Sequence, residues 1–564
     1  MRILLLTHSF NSLAQRMFVE LAAHGHEVTV EFDINDAVTM EAVRLAEPDL
    51  VIAPFLKRPI PEAVWRRVVC LVVHPGPTGD RGPSALDWAI IEGEKTWGVT
   101  VLQAEAEMDA GPVWAWRTFP MRDAAKSSLY RSEVTQAAVA AVHEAVERFS
   151  AGRFVPERPA VRPQRPAVRQ ADRAIDWMHD TTATVLRKIR SGDGNPGVKD
   201  TLFGRTVYLY DAHAAPGLAG NPGTVVARSA SAIARATTDG AVWIGHVRDP
   251  AGPHPFKLPA TSVLAGNLAG VPEREVDGPE GYREIRYEEH GPVGVLHFDF
   301  YNGAMGTEAC RRLQGAYRTA LQRPTKVIVL MGGAEFWSNG MNLNLIEASP
   351  SPADESWRNI NAIDDVSEAI IRTESHLTVA ALRGNAGAGG VFLARAADRV
   401  WLHEGVVLNP HYKDMGNLYG SELWSYLLPK RAGHEAANRV VQARLPMGAR
   451  EAVSLGLADE VLDGDRAEFP VRVGEEAQAL ADEPEWSKLV IAKRRARAAD
   501  EADKPLSRYR AEELERMRLN FYGFDQSYHV ARSNFVRKVV KSRTPVTIAR
   551  HRDRRLQPAG RKAS

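Results

Sequence analysis

The sequence predicts an α/β multidomain protein, and three observations carry that prediction. At 564 residues the chain is too long for one hydrophobic core. Through residue 74, short apolar runs alternate with helical patterns, which implies right-handed crossovers and a doubly wound, mostly parallel sheet. From residue 205 the pattern changes to short strands with glycine and proline turns, and from 283 an α/β pattern returns.

The elements follow in order. RILLLT at 2–7 is a continuous apolar strand, SLAQRMFVELAAHG a helix ending at Gly25, and EVTVEF, DLVIAPF and VVCLVVH are three further strands. GRFVPERPAVRPQRPAVR, within 151–170, is a linker, because its prolines sustain neither a helix nor a central strand. RAIDWMHDTTATVLRKIRSG reads as a helix, followed by the strands RTVYLYDA, GTVVARSA and SAIARATTDGAVWIGHV of a small, OB-like β-barrel of about 100 residues. A second linker, AGNLAGVPEREVDGPEG, precedes a hairpin (REIRYEEHGPVGVLHFDF), a buried strand (KVIVLMGG), and a strand, glycine turn, helix and strand in LTVAALRGNAGAGGVFLARAADRVWLH. The resulting domains are 1–155, 166–270 and 283–465, then a helical segment at 466–545 and a basic tail at 546–564, read as solvated and disordered.

Composition narrows the function. With 71 basic and 70 acidic side chains there is no global field to recruit nucleic acid or a membrane, so small molecules are the expected ligands. No run approaches the ~18 apolar residues of a membrane span, and the opening is too short for a secretory signal, so a cytoplasmic location is expected. Cys70 and Cys310 are the only cysteines, far apart in sequence, and the 17 histidines show no HExxH spacing, so no metal site is expected.

The first stretch with chemistry is LVVHPGPTGDRGPSALDW at 71–88. It places His74 at the carboxyl end of a strand, where an imidazole can stabilise an oxyanion or move a proton. Asp109 follows in a turn before another strand and is expected at the same sheet edge. The combination resembles the folate-dependent formyltransferases, which place Asn-x-His at a strand end, then an Arg-Gly loop and an Asp-x-Gly-Pro segment. Here His74, Arg81-Gly82 and Asp109-Ala110-Gly111-Pro112 match, and the DRAIDWMHDTTATVLRKIRSGDGNPG segment is similar to the start of that family's second domain. The resemblance implies a site for 10-formyl-tetrahydrofolate, with His74 and Asp109 catalytic and Arg81, Gly82 and Ser84 binding the folate. The departure is Val72, which stands where the family has Asn. One such donor is worth roughly 3–4 kcal/mol of the barrier. Its loss points to an acceptor more nucleophilic than an amine, such as a thiol.

The second stretch is a pair of glycine-rich turns, AEFWSNGMNLNLIE at 334–347 and RGNAGAGGVFLARAAD at 383–398. Backbone amides at such turns make an oxyanion hole, and glycine lets a bulky substrate approach. The pair resembles the crotonase (enoyl-CoA hydratase/isomerase) family. That implies coenzyme A as ligand, the Met341 and Gly389 amides as donors, and Gly340 and Gly390 beside the substrate. The alternative for Gly387–Gly390 with Glu404 is a dinucleotide fingerprint, disfavoured because Phe392 takes the third glycine's place. Phe392 also stands where hydratases carry a glutamate, so hydration is not expected. LNPHYKDMGNLYGSELW offers Tyr412 and Glu422 as acid and base candidates instead.

A formyltransferase-like half joined to a crotonase-like half resembles the hydrogenase maturation factors of the HypX (HoxX) family over essentially the whole chain. That resemblance implies formyl transfer from 10-formyl-tetrahydrofolate to coenzyme A, then breakdown of formyl-CoA to carbon monoxide for the iron of nickel-iron hydrogenase. It also implies hydrogenase maturation proteins, or a hydrogenase large-subunit precursor, as protein partners. Two other readings stay open: a formyltransferase acting on an amine or acyl carrier without gas release, and a noncatalytic assembly factor.

Overall fold

The computed structural model describes every residue except 161, 275–277, 279–280 and 554–564. It comprises two compact units, Met1–Arg274 with Val540–Ser564, and Glu275–Val539.

In the first unit, strands Arg2–Thr7, Glu27–Phe32, Leu50–Phe55 and Cys70–His74 run parallel, with Glu27–Phe32 at one edge. Their near-continuous apolar runs suit a sheet covered by helices on both faces. Arg2–Thr7, for example, exposes only Arg2. Thr96–Gln103 and Val113–Pro120 complete the sheet antiparallel to their neighbours. Helix Ser12–Ala23 begins where Asn11 accepts the Ala14 amide, and it buries Leu13, Ala14, Met17, Phe18 and Leu21 along one stripe.

The segment expected to be one helix over residues 173–192 is helical only over Thr182–Gly192. Asp176 accepts the Met178 amide and Thr181 accepts the Thr184 amide, so a local turn and an N-cap delay the helix start. The small domain is an antiparallel sheet ordered Val198–Leu202, Arg205–Ala214, Ala241–Arg248, Ile233–Ala236, Val225–Arg228, with Leu258–Pro259 paired to Ala241–Arg248. Its core includes Val185, Ile189, Leu209, Ile233 and Ile244.

The tail expected to be solvated is docked as far as Asp553, and residues 554–564 lie outside the described residues. The Ile548 carbonyl accepts the Val30 amide at 2.9 Å, and Thr544 Oγ1 accepts the Phe32 amide at 2.8 Å, so the segment covers the edge strand. His551 Nε2, 3.0 Å from Glu31 Oε2, and Arg552 supply partners for the wholly buried Glu31 carboxylate.

In the second unit a six-stranded sheet is ordered Ile285–His290, Val293–Phe298, Val327–Met331, Leu377–Leu382, Arg399–His403, Glu460–Leu462, parallel after the first hairpin. Short strands Phe336–Ser338, Asn385–Gly387, Val407–Asn409 and Met447–Gly448 form a second sheet. Its register pairs Phe336 with Asn385 and Ser338 with Ala386, which lays the two glycine turns side by side. Helices Pro352–Ile371 and Leu506–Tyr522 contribute to this unit's largest core.

Candidate active sites

His74 closes strand Cys70–His74 and is buried. The following loop is fixed from the neighbouring strand: Trp97 Nε1 donates to the Pro75 carbonyl and Thr100 Oγ1 to that of Gly76, each at 2.9 Å. Because Thr96–Gln103 runs antiparallel, Gln103 is registered opposite Leu71, not opposite His74. The 104–112 connection turns back along the sheet and sets Asp109 Oδ1 3.6 Å from His74 Nδ1. Asp109 holds a left-handed φ of 55°, and its Oδ2 accepts the Gly82 amide at 3.2 Å.

The other face of the imidazole is held by a residue the sequence reading missed. His74 Nε2 is 3.0 Å from Oδ2 of Asp80, which is buried, and Asp80 Oδ1 is buried without a hydrogen-bond partner. A Cβ at position 76 would lie 2.5 Å from both His74 Nε2 and Asp80 Oδ2, so only glycine lets the two meet. The two carboxylates together fix the orientation of the imidazole at the strand end. Val72, two residues earlier on the same strand face, offers no polar atom.

The residues expected to bind folate also hold the loops. Arg81 Nη2 donates to the Met108 carbonyl at 3.1 Å and pairs with Glu107 at 2.8 Å, bracing the connection that carries Asp109. Ser84 Oγ accepts the Val168 amide at 3.2 Å. The proline-rich linker lies along this loop, with Arg162 and Arg165 amides donating to the Gly79 and Arg81 carbonyls at 2.9 Å each.

In the second unit the two glycine turns lie side by side. Gly340 is left-handed at φ 73°, its amide donates to Ser338 Oγ at 3.0 Å, and a Cβ on it would lie 3.7 Å from the Gly389 nitrogen. Met341 follows in the turn, and Gly389 opens helix Gly389–Arg395. Gly390 lies against the Ser338 carbonyl too closely for any side chain, and its own carbonyl accepts Trp337 Nε1 at 2.9 Å. Phe392 is wholly buried and stacks on Tyr412 with centroids 5.8 Å apart and 17° between planes.

Glu422 lies directly over this turn. A Cβ on Gly389 would be 2.5 Å from Glu422 Oε2 and closer still to Oε1. Tyr412 Oη is 2.7 Å from Glu422 Oε2 and 2.8 Å from the Ser421 carbonyl. Burial, then the Asp364 charge, push the Glu422 carboxyl well above the usual range. Burial, then Glu422, raise the Tyr412 hydroxyl further, so it remains protonated. Asp364, Ser421 and Glu513 complete the cluster and were not singled out from the sequence. Among the described residues, Glu20, His24 and His143 have ligand atoms within 4.8 Å of one another, but Arg16 already engages Glu20 at 2.6 Å.

Family models match in three places: formyl transferase over residues 19–146, formyl transferase C-terminal domain over 167–264, and enoyl-CoA hydratase/isomerase over 302–529. A methionyl-tRNA formyltransferase of Trichlorobacter lovleyi is 27% identical over 43% of this chain and 77% of its own length. The crystal structure of HypX from Aquifex aeolicus in complex with tetrahydrofolic acid superposes with a TM-score of 0.95 at 50% identity, covering 98% of this chain and 99% of that one. The hydrogenase maturation factor HoxX of Bradyrhizobium diazoefficiens is 60% identical over 99% of both chains. With both glycine turns and the His74 loop in place, this chain belongs to the HypX/HoxX family of hydrogenase maturation factors.

Proposed function

We propose that the protein makes carbon monoxide from 10-formyl-tetrahydrofolate with coenzyme A as carrier, supplying the carbonyl ligand of nickel-iron hydrogenase. The observation that carries this reading is the paired loss of the parent families' polar groups. Val72 replaces the formyltransferase asparagine, and Phe392 replaces the hydratase glutamate, while Glu422 and Tyr412 stand over the Gly389 turn instead.

In the first step a thiolate attacks the formyl carbon, the N–CHO bond breaks, and the thiol's proton goes to the folate nitrogen. His74, between Asp80 and Asp109, stabilises the oxyanion, and Asp109 is placed to move the proton. A thiolate is nucleophilic enough to manage without the missing asparagine. In the second step the Met341 and Gly389 amides hold the thioester oxygen. The ionised Glu422 carboxylate accepts the formyl proton as the C–S bond breaks, and that proton ends on sulfur, giving carbon monoxide and free coenzyme A. Tyr412 stays protonated and orients Glu422. The cradle suits a thioester: both turns are glycine where a side chain would intrude, and Phe392 offers no group to activate water.

The test mixes full-length protein, formyl-labelled folate and coenzyme A, and follows labelled gas with a haem reporter. Glu422→Ala is expected to accumulate formyl-CoA, whereas His74→Ala leaves the folate intact. Loss of the same step in both variants would end the two-site reading, and a formylated amine without gas would replace it with a plain formyltransferase.

A further inference from the structure

Glu422 and Leu423 hold consecutive left-handed φ angles of 62° and 61°, and neither is glycine. Left-handed backbone is strained in a residue with a side chain, so the surroundings must impose the turn. They do so through two carboxylates from distant helices. Asp364, on helix Pro352–Ile371, accepts the Glu422 amide at 2.8 Å. Glu513, on helix Leu506–Tyr522, accepts the Leu423 amide at 2.9 Å and the Ser425 amide at 2.8 Å. All three carboxyl groups are buried.

The charged and titratable groups around Glu422 are few. Tyr412 touches it, Asp364 and Glu513 flank its backbone, and Cys310, on helix Thr307–Ala320, has a buried thiol raised further by the Glu422 charge. The cation beside the cluster is Arg510, 3.8 Å from Asp364 Oδ2 and already paired with Asp365 at 2.7 Å and Glu368 at 2.8 Å. Three buried carboxyls sharing part of one guanidinium cannot all be ionised.

Two hydroxyls bear on where the protons sit, because each has a single hydrogen and two oxygen neighbours. Tyr412 Oη lies 2.8 Å from the Ser421 carbonyl, which can only accept, and 2.7 Å from Glu422 Oε2. When the tyrosine hydrogen goes to the carbonyl, the second contact is a hydrogen bond only with a proton on Glu422. Ser421 Oγ lies 2.7 Å from Asp364 Oδ2 and 3.3 Å from Glu513 Oε2. Asp364 is the acid beside Arg510 and, at the shorter distance, takes the serine hydrogen, while Glu513 is served by the Leu423 and Ser425 amides and the Ser425 hydroxyl. Burial is the largest cause raising all three carboxyls.

We propose that Asp364 and Glu513 are positioning residues for Glu422: both pin the strained turn through its amides, and the Asp364 charge governs when Glu422 ionises. Its kinetic consequence rests on the reading of Glu422 as the proton acceptor. Glu422 must first lose its own proton, so gas release climbs as pH rises through the neutral range, and the Asp364 charge determines where.

The test has two arms on the full-length protein. Infrared spectroscopy at neutral pH reads the carbonyl stretch of buried protonated carboxyls, which carboxylates lack. Glu422→Gln should remove one such band and Asp364→Asn none. A band lost in Asp364→Asn, or none lost in Glu422→Gln, overturns the proposal. In the kinetic arm, Asp364→Asn should move the acid limb of gas release down by about one pH unit. A lower rate at every pH with an unmoved limb would make Asp364 merely structural and overturn its part of the proposal. If the wild type releases no gas, the proposed function fails while the infrared arm still decides the proton inventory.

Discussion

The sharpest single perturbation is Gly389→Ala. A Cβ there would lie 2.5 Å from Glu422 Oε2 and nearer still to Oε1, whereas non-bonded carbon contacts settle at about 3.5 Å. The carboxyl must therefore retreat by about 1 Å or more. Retreat is hindered, because Tyr412 grips Oε2 at 2.7 Å and the Glu422 backbone is fixed to Asp364 at 2.8 Å. Misplacement of a reacting group by 1 Å costs on the order of 100-fold, or about 2.7 kcal/mol of barrier. The amide donor survives the substitution, so thioester binding should persist. The expected result is a fall of about 100-fold in carbon monoxide release with formyl-CoA accumulating, while folate consumption in the first turnover is unchanged. Single-turnover assays with labelled formyl-folate separate these outcomes, and circular dichroism checks that the fold is intact. Gas release within about threefold of wild type would show that Glu422 need not occupy the place it holds over Gly389, and the assignment of its role would fall.

Two further outcomes follow from the same geometry. Asp80→Asn keeps the shape of the His74 contact and removes its charge, with a charge-assisted hydrogen bond worth roughly 1.5–3 kcal/mol. Folate-dependent formyl transfer should slow by about 10- to 100-fold with decarbonylation of added formyl-CoA unaffected, and loss of both steps would contradict the division of labour. Glu513 gives a stability signature: its folded pKa, about 8, lies above its ordinary value of 4.5, so the unfolded chain releases this proton first as pH rises. Its contribution is complete below about pH 4.5 and drains away up to about 8, at no more than about 1.4 kcal/mol per pH unit. Melting temperatures measured across that window should fall less steeply in Glu513→Gln than in wild type, and parallel slopes would refute the raised carboxyl.

How much of this was legible depends on whether the signal was local. The strand ending at His74 and the turns around Gly340 and Gly389 are contiguous stretches whose apolar runs and glycines declare them. Asp80 lay inside the quoted loop but drew no notice, since an aspartate among Pro and Gly reads as turn chemistry. Asp364 and Glu513 carried a signal that was passed over. Asp364 interrupts the buried stripe Ile360, Ile363, Ser367, Ile371, and Glu513 interrupts Leu506, Met517 and Phe521. A carboxylate on an apolar helical stripe is a buried charge in need of a reason. Their convergence on Ser421 was not readable, because it depends on how helices separated by more than 100 residues cross. The docked tail was missed for a related reason: a basic, proline-bearing segment looks solvated until the edge strand and the buried Glu31 that it serves are known.

The two halves depart from their parents in the same direction, and the chemistry explains why. An amine formyltransferase needs an extra donor because its nucleophile is weak, and a hydratase needs a second carboxylate because it must activate water. In the proposed function a thiolate removes the first need, and a formyl thioester makes the second dangerous, since water near its carbonyl would give formate. Phe392 answers that hazard with an apolar ring stacked on Tyr412 and 6.4 Å from Trp424, where a hydratase would hold a water-activating acid. The base then has to come from elsewhere, and the left-handed turn at Glu422 delivers it over Gly389. A carboxyl brought there in so dry a setting is pushed toward its neutral form, which weakens it as a base at low pH and strengthens it once ionised. The buried partners Asp364 and Glu513 thus belong to the same solution as Phe392: excluding water from a reactive thioester obliges the protein to manage the protons itself.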